Sequence, residues 1–225
     1  MFKKWLDIFK KDTLLDRAFQ RSYEMLDLTR TMFLKSRESL RKMEDSQIDI
    51  DIKDTDHEVN KYEREVRRDV FNHLAVRGTS TLSSGLALIT IIIDIERIGD
   101  YAKNMVELAI AHPGKLSGGQ FDDEIRKIGD DVAEQFKITK HCLENDDPEE
   151  GIVQLEKYFY INKACDRLVI SLVREEDANI RPGDAVALGL YIRWLKRINS
   201  HLRNITTSIV NPFDRIGFEP KKKKK

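Results

Sequence analysis

The sequence predicts an all-α protein made of duplicated three-helix bundles forming a six-helix body. Three observations carry that reading. Apolar residues recur at helical spacing along most of the chain, a Gly-rich loop divides it near the middle, and the third and sixth helical segments share an apolar register at an offset of 100 residues. The 225 residues are 40% hydrophobic and 35% charged, enough apolar material for a core and enough charge to solvate the outer faces of long helices.

The first helix is read from Leu15, Phe19, Ser22, Leu26, Thr29, Phe33, Ser36 and Leu40, which fall on one stripe with no Pro or Gly between them. A polar break from Glu44 to Asp51 precedes a second, marked by Ile52, Thr55, Val59, Tyr62, Val66 and Val70 and closed by Gly78. Thr79, Ser80 or Thr81 then offers an N-cap hydroxyl to a third helix running to about Ala111. His112, Pro113 and Gly114 open the loop that continues through Gly118 and Gly119. Phe121, Ile125, Ile128, Val132, Phe136 and Leu143 mark a fourth helix, stopped between Asn145 and Pro148. Ile152, Leu155, Phe159, Cys165, Val169 and Leu172 mark a single fifth, and Pro182 and Gly183 start a sixth that reaches about Val210, before Pro212.

The duplication rests on the third and sixth helices. Arg97, Ile98 and Asn104 are repeated as Arg197, Ile198 and Asn204. The apolar positions Leu88, Ile95, Ala102, Val106 and Ala109 correspond to Leu188, Leu195, Leu202, Thr206 and Ile209. The expected repeats span residues 12–111 and 121–210, the second divergent. A three-helix unit with an open apolar side buries it against its own copy, giving one continuous body.

Charge narrows the function. The 39 basic and 39 acidic side chains cancel, but five of the bases are Lys221 to Lys225; without them 34 bases face 39 acids. A net negative body argues against a broad nucleic-acid surface, and no nucleic-acid partner is expected. Cys142 and Cys165 have no CxxC spacing, so neither a thiolate metal site nor a disulfide framework is indicated. No stretch reads as ~20 predominantly apolar residues, since Leu86 to Ile95 is broken by Asp94 and followed by Glu96 and Arg97. Near the N-terminus, Phe2, Trp5, Leu6 and Phe9 form an amphipathic face suited either to ordinary packing or to a membrane or partner helix. The lysine run reads either as a solvated end or as a contact for an acidic partner.

The sharpest local feature is Asp94-Ile95-Glu96-Arg97-Ile98-Gly99-Asp100-Tyr101-Ala102-Lys103-Asn104. Glu96 and Asp100 are one helical turn apart, and two like charges at this spacing repel unless a cation or basic side chain lies between them. Asp56, Asn60 and Glu63 share a face of the second helix and offer further oxygen donors. These five make a candidate site for a divalent or trivalent metal ion, hard rather than thiophilic. Ion pairs with Arg97, Lys103 or bases of the second helix explain the same carboxylates without a metal. In the second half the pair is replaced by Lys196 and Ser200, so a second metal site is not expected. There is no phosphate-binding loop, no HExxH and no nucleophile in a recognised local setting, and the five histidines show no compact ligand spacing.

With Asp56-His57-Glu58-Val59-Asn60-Lys61-Tyr62-Glu63 upstream and Glu96 to Asn104 downstream, the sequence resembles the PhoU family of phosphate-uptake regulators over residues 12–210. The resemblance implies a non-enzymatic, cytoplasmic regulator, usually dimeric, that acts on a phosphate transporter and a sensor kinase at the inner face of the membrane. It also implies metal bound through Glu96 and Asp100, with Asp56, Asn60 and Glu63 as further contributors. Two other classes fit the residues: a metal-dependent hydrolase using Glu96 and Asp100 with a remote base, and a helical scaffold serving a phosphate permease.

Overall fold

The computed structural model describes residues 14–42 and 51–220. Its helices are α1 (Leu14–Lys42), α2 (Ile52–Arg77), α3 (Leu82–Ala111), α4 (Asp122–Asn145), α5 (Pro148–Lys157), α6 (Tyr160–Val173) and α7 (Pro182–Val210), with short 3-10 turns at Gly78–Thr81, Gly119–Phe121 and Phe213–Arg215. Phe2, Trp5, Leu6 and Phe9, most of the polar break after α1, and Lys221 to Lys225 lie outside the described residues.

Every residue of the predicted stripe on α1 is buried, and Ala18, Met25, Met32 and Ser39 widen it. The widening follows from α1 serving several neighbours, since it packs on α2, α3 and α4. Its buried hydroxyls are satisfied within the helix: Ser22 donates to the Phe19 carbonyl at 2.7 Å, Thr29 to Leu26 at 3.0 Å and Ser36 to Phe33 at 3.0 Å. The seven-residue spacing of these three keeps small side chains along one line of close helix approach.

Two expectations change. Thr81 stands at the N-cap of α3 but makes no capping hydrogen bond; its Oγ1 lies 3.0 Å from His73 Nε2, so the hydroxyl joins α2 to the turn instead. The single fifth helix is two, broken at Tyr158 and Phe159. The break changes the helical phase, leaving Ile152 and Phe159 exposed while Tyr158 is fully buried. Its cause is tertiary. A Cβ on Gly151 would meet Val210 Cγ2 at 2.9 Å, so α5 lies hard against the end of α7. Gln154 meanwhile reaches Thr139 Oγ1 at 2.7 Å inside the core.

The junction before α5 follows the local sequence. α4 ends at Asn145, Asp146 turns left-handed at φ 50°, and Asp147 caps α5 by accepting from the Glu149 and Glu150 amides, with Pro148 in the first turn.

The bundles join as α1, α2 and α3 on one side and α4, α5, α6 and α7 on the other, with α3 against α7 and α1 against α4. Equivalent residues meet at the joint. Phe33 and Phe136, at matching places in the α1 and α4 stripes, stack with ring centroids 5.5 Å apart. Tyr101 and His201, related by the 100-residue offset, stack at 5.7 Å. Such self-pairing places a pseudo-twofold axis between the bundles. Among the buried residues of α3, Ala87, Leu88, Ile91, Ile92, Ile95, Ile98, Ala102, Met105 and Ala109 all have buried counterparts 100 residues later in α7.

Within Ile52–Ala111 an 18-residue window of mean hydropathy 1.5 is long and apolar enough by composition to cross a membrane, which the count of charged residues passed over. In this fold α3 turns Leu88, Ile91, Ile92, Ile95 and Ile98 into the core between α1, α2 and α7.

Asp69 of α2 is a buried carboxylate, 4% exposed, and is held by Arg17 at 3.1 Å and by Arg21. Replacing Arg21 with Ala leaves that buried charge with Arg17 alone and should cost about 2 kcal/mol in chemical denaturation. A loss near zero would mean that Arg17 satisfies Asp69 unaided.

Candidate functional site

Asp51 starts α2 by accepting hydrogen bonds from the Lys53 and Asp54 amides, both at 3.0 Å. From that start Asp56, Asn60 and Glu63 follow on one face of α2, beside the α3 turns carrying Glu96 and Asp100, because α2 and α3 pack together. The five predicted residues therefore belong to one inter-helix groove. Asp56 and Glu63 side chains are each 13% exposed, Glu96 18% and Asp100 31%.

The carboxylates sense one another. Burial raises the Glu96 pKa above the usual carboxylate range, and Asp100 raises it further; Arg97 opposes, while Glu63 and Asp56 add smaller upward pushes. The main compensating charge is Lys103. Its Nζ lies 3.1 Å from Asp56 and 3.8 Å from Asp100, bridging α2 and α3. Burial works against the charge on Lys103, but the hydrogen bond to Asp56 and the fields of Asp56, Asp100 and Glu107 outweigh it and raise its pKa.

The other members are also engaged. Arg97 lies 3.3 Å from Asp100 and 3.7 Å from Glu96, and Arg67 pairs with Glu63 at 2.6 Å. Asn60 donates to the Asp56 carbonyl at 2.9 Å. The groove thus gathers oxygen donors suited to a hard cation, with an ammonium between two of them. A metal ion chelated by both Asp56 and Asp100 would have to displace Lys103.

A different group has the tighter geometry. Ligand atoms of His141, Asp147 and Glu150 lie within 4.8 Å of one another, the one such set among the described residues. The sequence reading missed it because the left-handed turn at Asp146 folds the start of α5 back beside the end of α4. Capping explains it: Asp147 receives two amides, and His141 Nδ1 lies 3.1 Å from Asn145 Nδ2.

In the second bundle the equivalent groove is chemically inverted. Lys196 takes the place of Glu96 and pairs with Asp166 at 2.6 Å. Asn199 donates to Asn162 at 2.9 Å, and Asn162 to Ser200 at 3.2 Å, so a hydroxyl stands where the first groove has Asp100, held in a network of neutral amides. Burial pushes the Cys142 and Cys165 thiols up to about 12, which keeps both protonated.

The bundles are also tied at the loop. His112 Nε2 lies 2.9 Å from Asp184 Oδ1, linking the end of α3 to the first turn of α7, and its Nδ1 faces the Gly114 carbonyl. Arg181 and, less strongly, His112 hold the Asp184 pKa below the ordinary range. A carboxyl whose pKa is lower in the folded state adds stability above its unfolded pKa of about 3.9, and that stability is lost as pH falls through the folded value. Melting curves from pH 7 to 3 should therefore show a shallower acid limb for Asp184→Asn than for the parent; parallel limbs would remove Asp184 from the acid response.

Fold and groove together define a class: an all-α, internally duplicated helical bundle with an acidic inter-helix groove in its first half. Residues 23–109 match the PhoU domain model. A phosphate-specific transport system accessory protein PhoU homolog of Synechocystis sp. is 22% identical over 211 residues, covering 90% of this chain and 84% of that one. One from Pseudomonas putida is 27% identical over 173 residues, covering 74% and 66%. Crystal structures of PhoU from Pseudomonas aeruginosa (TM-score 0.74, 21% identity, 88% of this chain and 95% of that one) and of the phosphate transport system regulatory protein PhoU from Streptococcus pneumoniae (0.72, 14%, 87% and 93%) share the fold. The chain is thus similar to a PhoU domain over residues 23–109, within an all-α bundle whose fold the solved PhoU structures share.

Proposed function

We propose that this chain is a regulator of phosphate transport and phosphate-responsive signalling that works by protein interaction, with repeats at 12–111 and 121–210. The observation that carries the reading is its likeness, along 84% of the relative's length, to a phosphate-specific transport accessory protein. As an adaptor it binds one conformation of a phosphate transporter, or of its sensor kinase, more strongly than another and so shifts the population of states. It acts as a homodimer in the cytoplasm, peripheral to the membrane through those partners.

The same proposal assigns a divalent or trivalent metal ion to the groove of Glu96, Asp100, Asp56, Asn60 and Glu63. There the protein's own residues do the binding and hold α2 to α3, and Lys103 supplies the bridging charge when the ion is absent. The metal neutralises clustered carboxylates; no reaction is assigned to it.

Affinity capture from the native cells, at low and high phosphate, tests the partner reading. Recovery of subunits of an ATP-driven phosphate transporter is the expected result. Recovery of a phosphate permease instead would favour the scaffold reading, and reproducible absence of both would overturn the adaptor. Metal-dependent phosphoester turnover abolished by Glu96→Gln and Asp100→Asn would establish the hydrolase alternative.

A further inference from the structure

The two bundles share a groove, but only the first fills it with acids. At the offset of 100, Lys103 corresponds to Arg203 and Asp100 to Ser200; on the outer helices Val59, Asn60 and Lys61 correspond to Ile161, Asn162 and Lys163, which sets Tyr158 where Asp56 stood. Lys103 has two carboxylates. Arg203 has lost both.

The groove of the second bundle opens as a cavity of about 400 Å³. Asn162, Lys163, Ser200, Arg203 and Asn204 line it, with Phe159 in one wall and the 217–220 segment in another. That segment is fixed in place, because the Gly217 amide donates to Thr207 Oγ1 at 2.7 Å and the Phe218 carbonyl accepts from Asn211 at 2.7 Å. Lys163 Nζ and the Arg203 guanidinium lie 5.2 and 5.4 Å from the centroid of the Phe159 ring. Among the described residues neither cation makes an ion pair. Arg203 Nη1 donates to the Leu155 carbonyl, and its other N–H groups hydrogen-bond to no described residue. The lone carboxylate of the lining, Glu219, stays beyond ion-pair distance of both.

Two like charges at one cavity, neither held in an ion pair, repel, and Arg203 also loses hydration, a cost that an anion between them would offset. Burial holds the Arg203 pKa below its ordinary value, with Glu219 working the other way. A planar guanidinium, an ammonium, amides and a hydroxyl are donors suited to oxyanions, and the cavity exceeds the size of a single phosphate group. In the sequence, five lysines follow directly after Pro220 at the rim.

We propose that this cavity binds a small anion carrying two or more linked phosphate groups, so that the duplicated groove takes a cation in the first repeat and a polyanion in the second. The anion half of this inference is independent of metal in the first groove and of the transporter reading. Isothermal titration of the full chain in chelator, at low salt, with sodium tripolyphosphate, ATP and citrate tests it. Saturable binding of tripolyphosphate is expected, weakened about tenfold or more by Lys163→Glu and by raised salt. Arg203→Gln should do the same, and because Lys163 is exposed its variant serves if Arg203→Gln fails to fold. ATP binding more tightly than tripolyphosphate would identify a nucleotide; equal or weaker binding would identify an inorganic chain. The proposal falls if no saturable binding occurs, if citrate binds as tightly, if Lys163→Glu binds like the parent, or if binding is lost only when Lys221 to Lys225 are removed.

Discussion

Replacing Phe33 with Ala should destabilise the protein by roughly 3–5 kcal/mol. Phe33 is fully buried and stacks on Phe136 across the joint between α1 and α4. Truncation removes a ring from the centre of the pseudo-twofold contact. The helices on either side are held by other contacts and cannot collapse into the space, so a cavity term adds to the lost transfer energy. For a chain of this length each kcal/mol lowers Tm by roughly 2–4 °C, giving a fall on the order of 10 °C in calorimetry. Phe136→Ala should behave alike, and the double variant should lose less than the two single losses added, because each ring is the other's partner. A loss under about 1 kcal/mol from Phe33→Ala would mean that the bundles do not depend on each other through α1 and α4.

The second large effect concerns the acidic groove. After chelation, adding a metal that binds the native groove should stabilise the parent by about 2.7 kcal/mol at a hundred times Kd, because only the folded chain brings α2 and α3 together. Thermal melts with magnesium, manganese, iron(II) or zinc read this directly. The double variant Glu96→Gln, Asp100→Asn should show no such rise.

Without metal the sign reverses. The Glu96 pKa is raised in the folded state, so its contribution is fully present below the unfolded carboxylate pKa and is lost as pH rises through the folded value. At neutral pH ionised Glu96 is a liability, and Glu96→Gln should melt slightly above the chelated parent. Lys103→Met should lower the metal-free stability and tighten metal binding, since it removes the ammonium that a chelated ion must displace. An equal metal-induced rise in parent and double variant would take the site away from Glu96 and Asp100.

The acidic residues were legible at the level of spacing but not of partnership. A four-residue interval places Glu96 and Asp100 on one side of any helix, and the same logic aligns Asp56, Asn60 and Glu63. Which cation stands among them depends on how far α2 and α3 approach, and Lys103 reaches Asp56 across 47 residues of chain. Nothing local predicts that distance. The inverted second groove was half legible: Lys196 and Ser200 announced the loss of acids, while the unpaired Arg203 appeared only once the 217–220 segment closed over it.

What the sequence by itself determined is the part governed by neighbours along the chain. The stripe from Leu15 to Leu40, the stop between Asn145 and Pro148, and the shared register of α3 and α7 all follow from helical period and from the backbone preferences of Pro and capping residues. Only the tertiary structure decided the break at Tyr158 and Phe159, the stacking of Phe33 on Phe136 and of Tyr101 on His201, and the opposite charge character of the two grooves. The break contains neither Pro nor Gly; it exists because Gly151 meets Val210 while Tyr158 turns inward, and no short-range signal encodes a contact between residues 59 positions apart. Periodicity fixes which face of a helix is apolar, whereas close packing against a particular neighbour decides where that helix bends and which charges it must share.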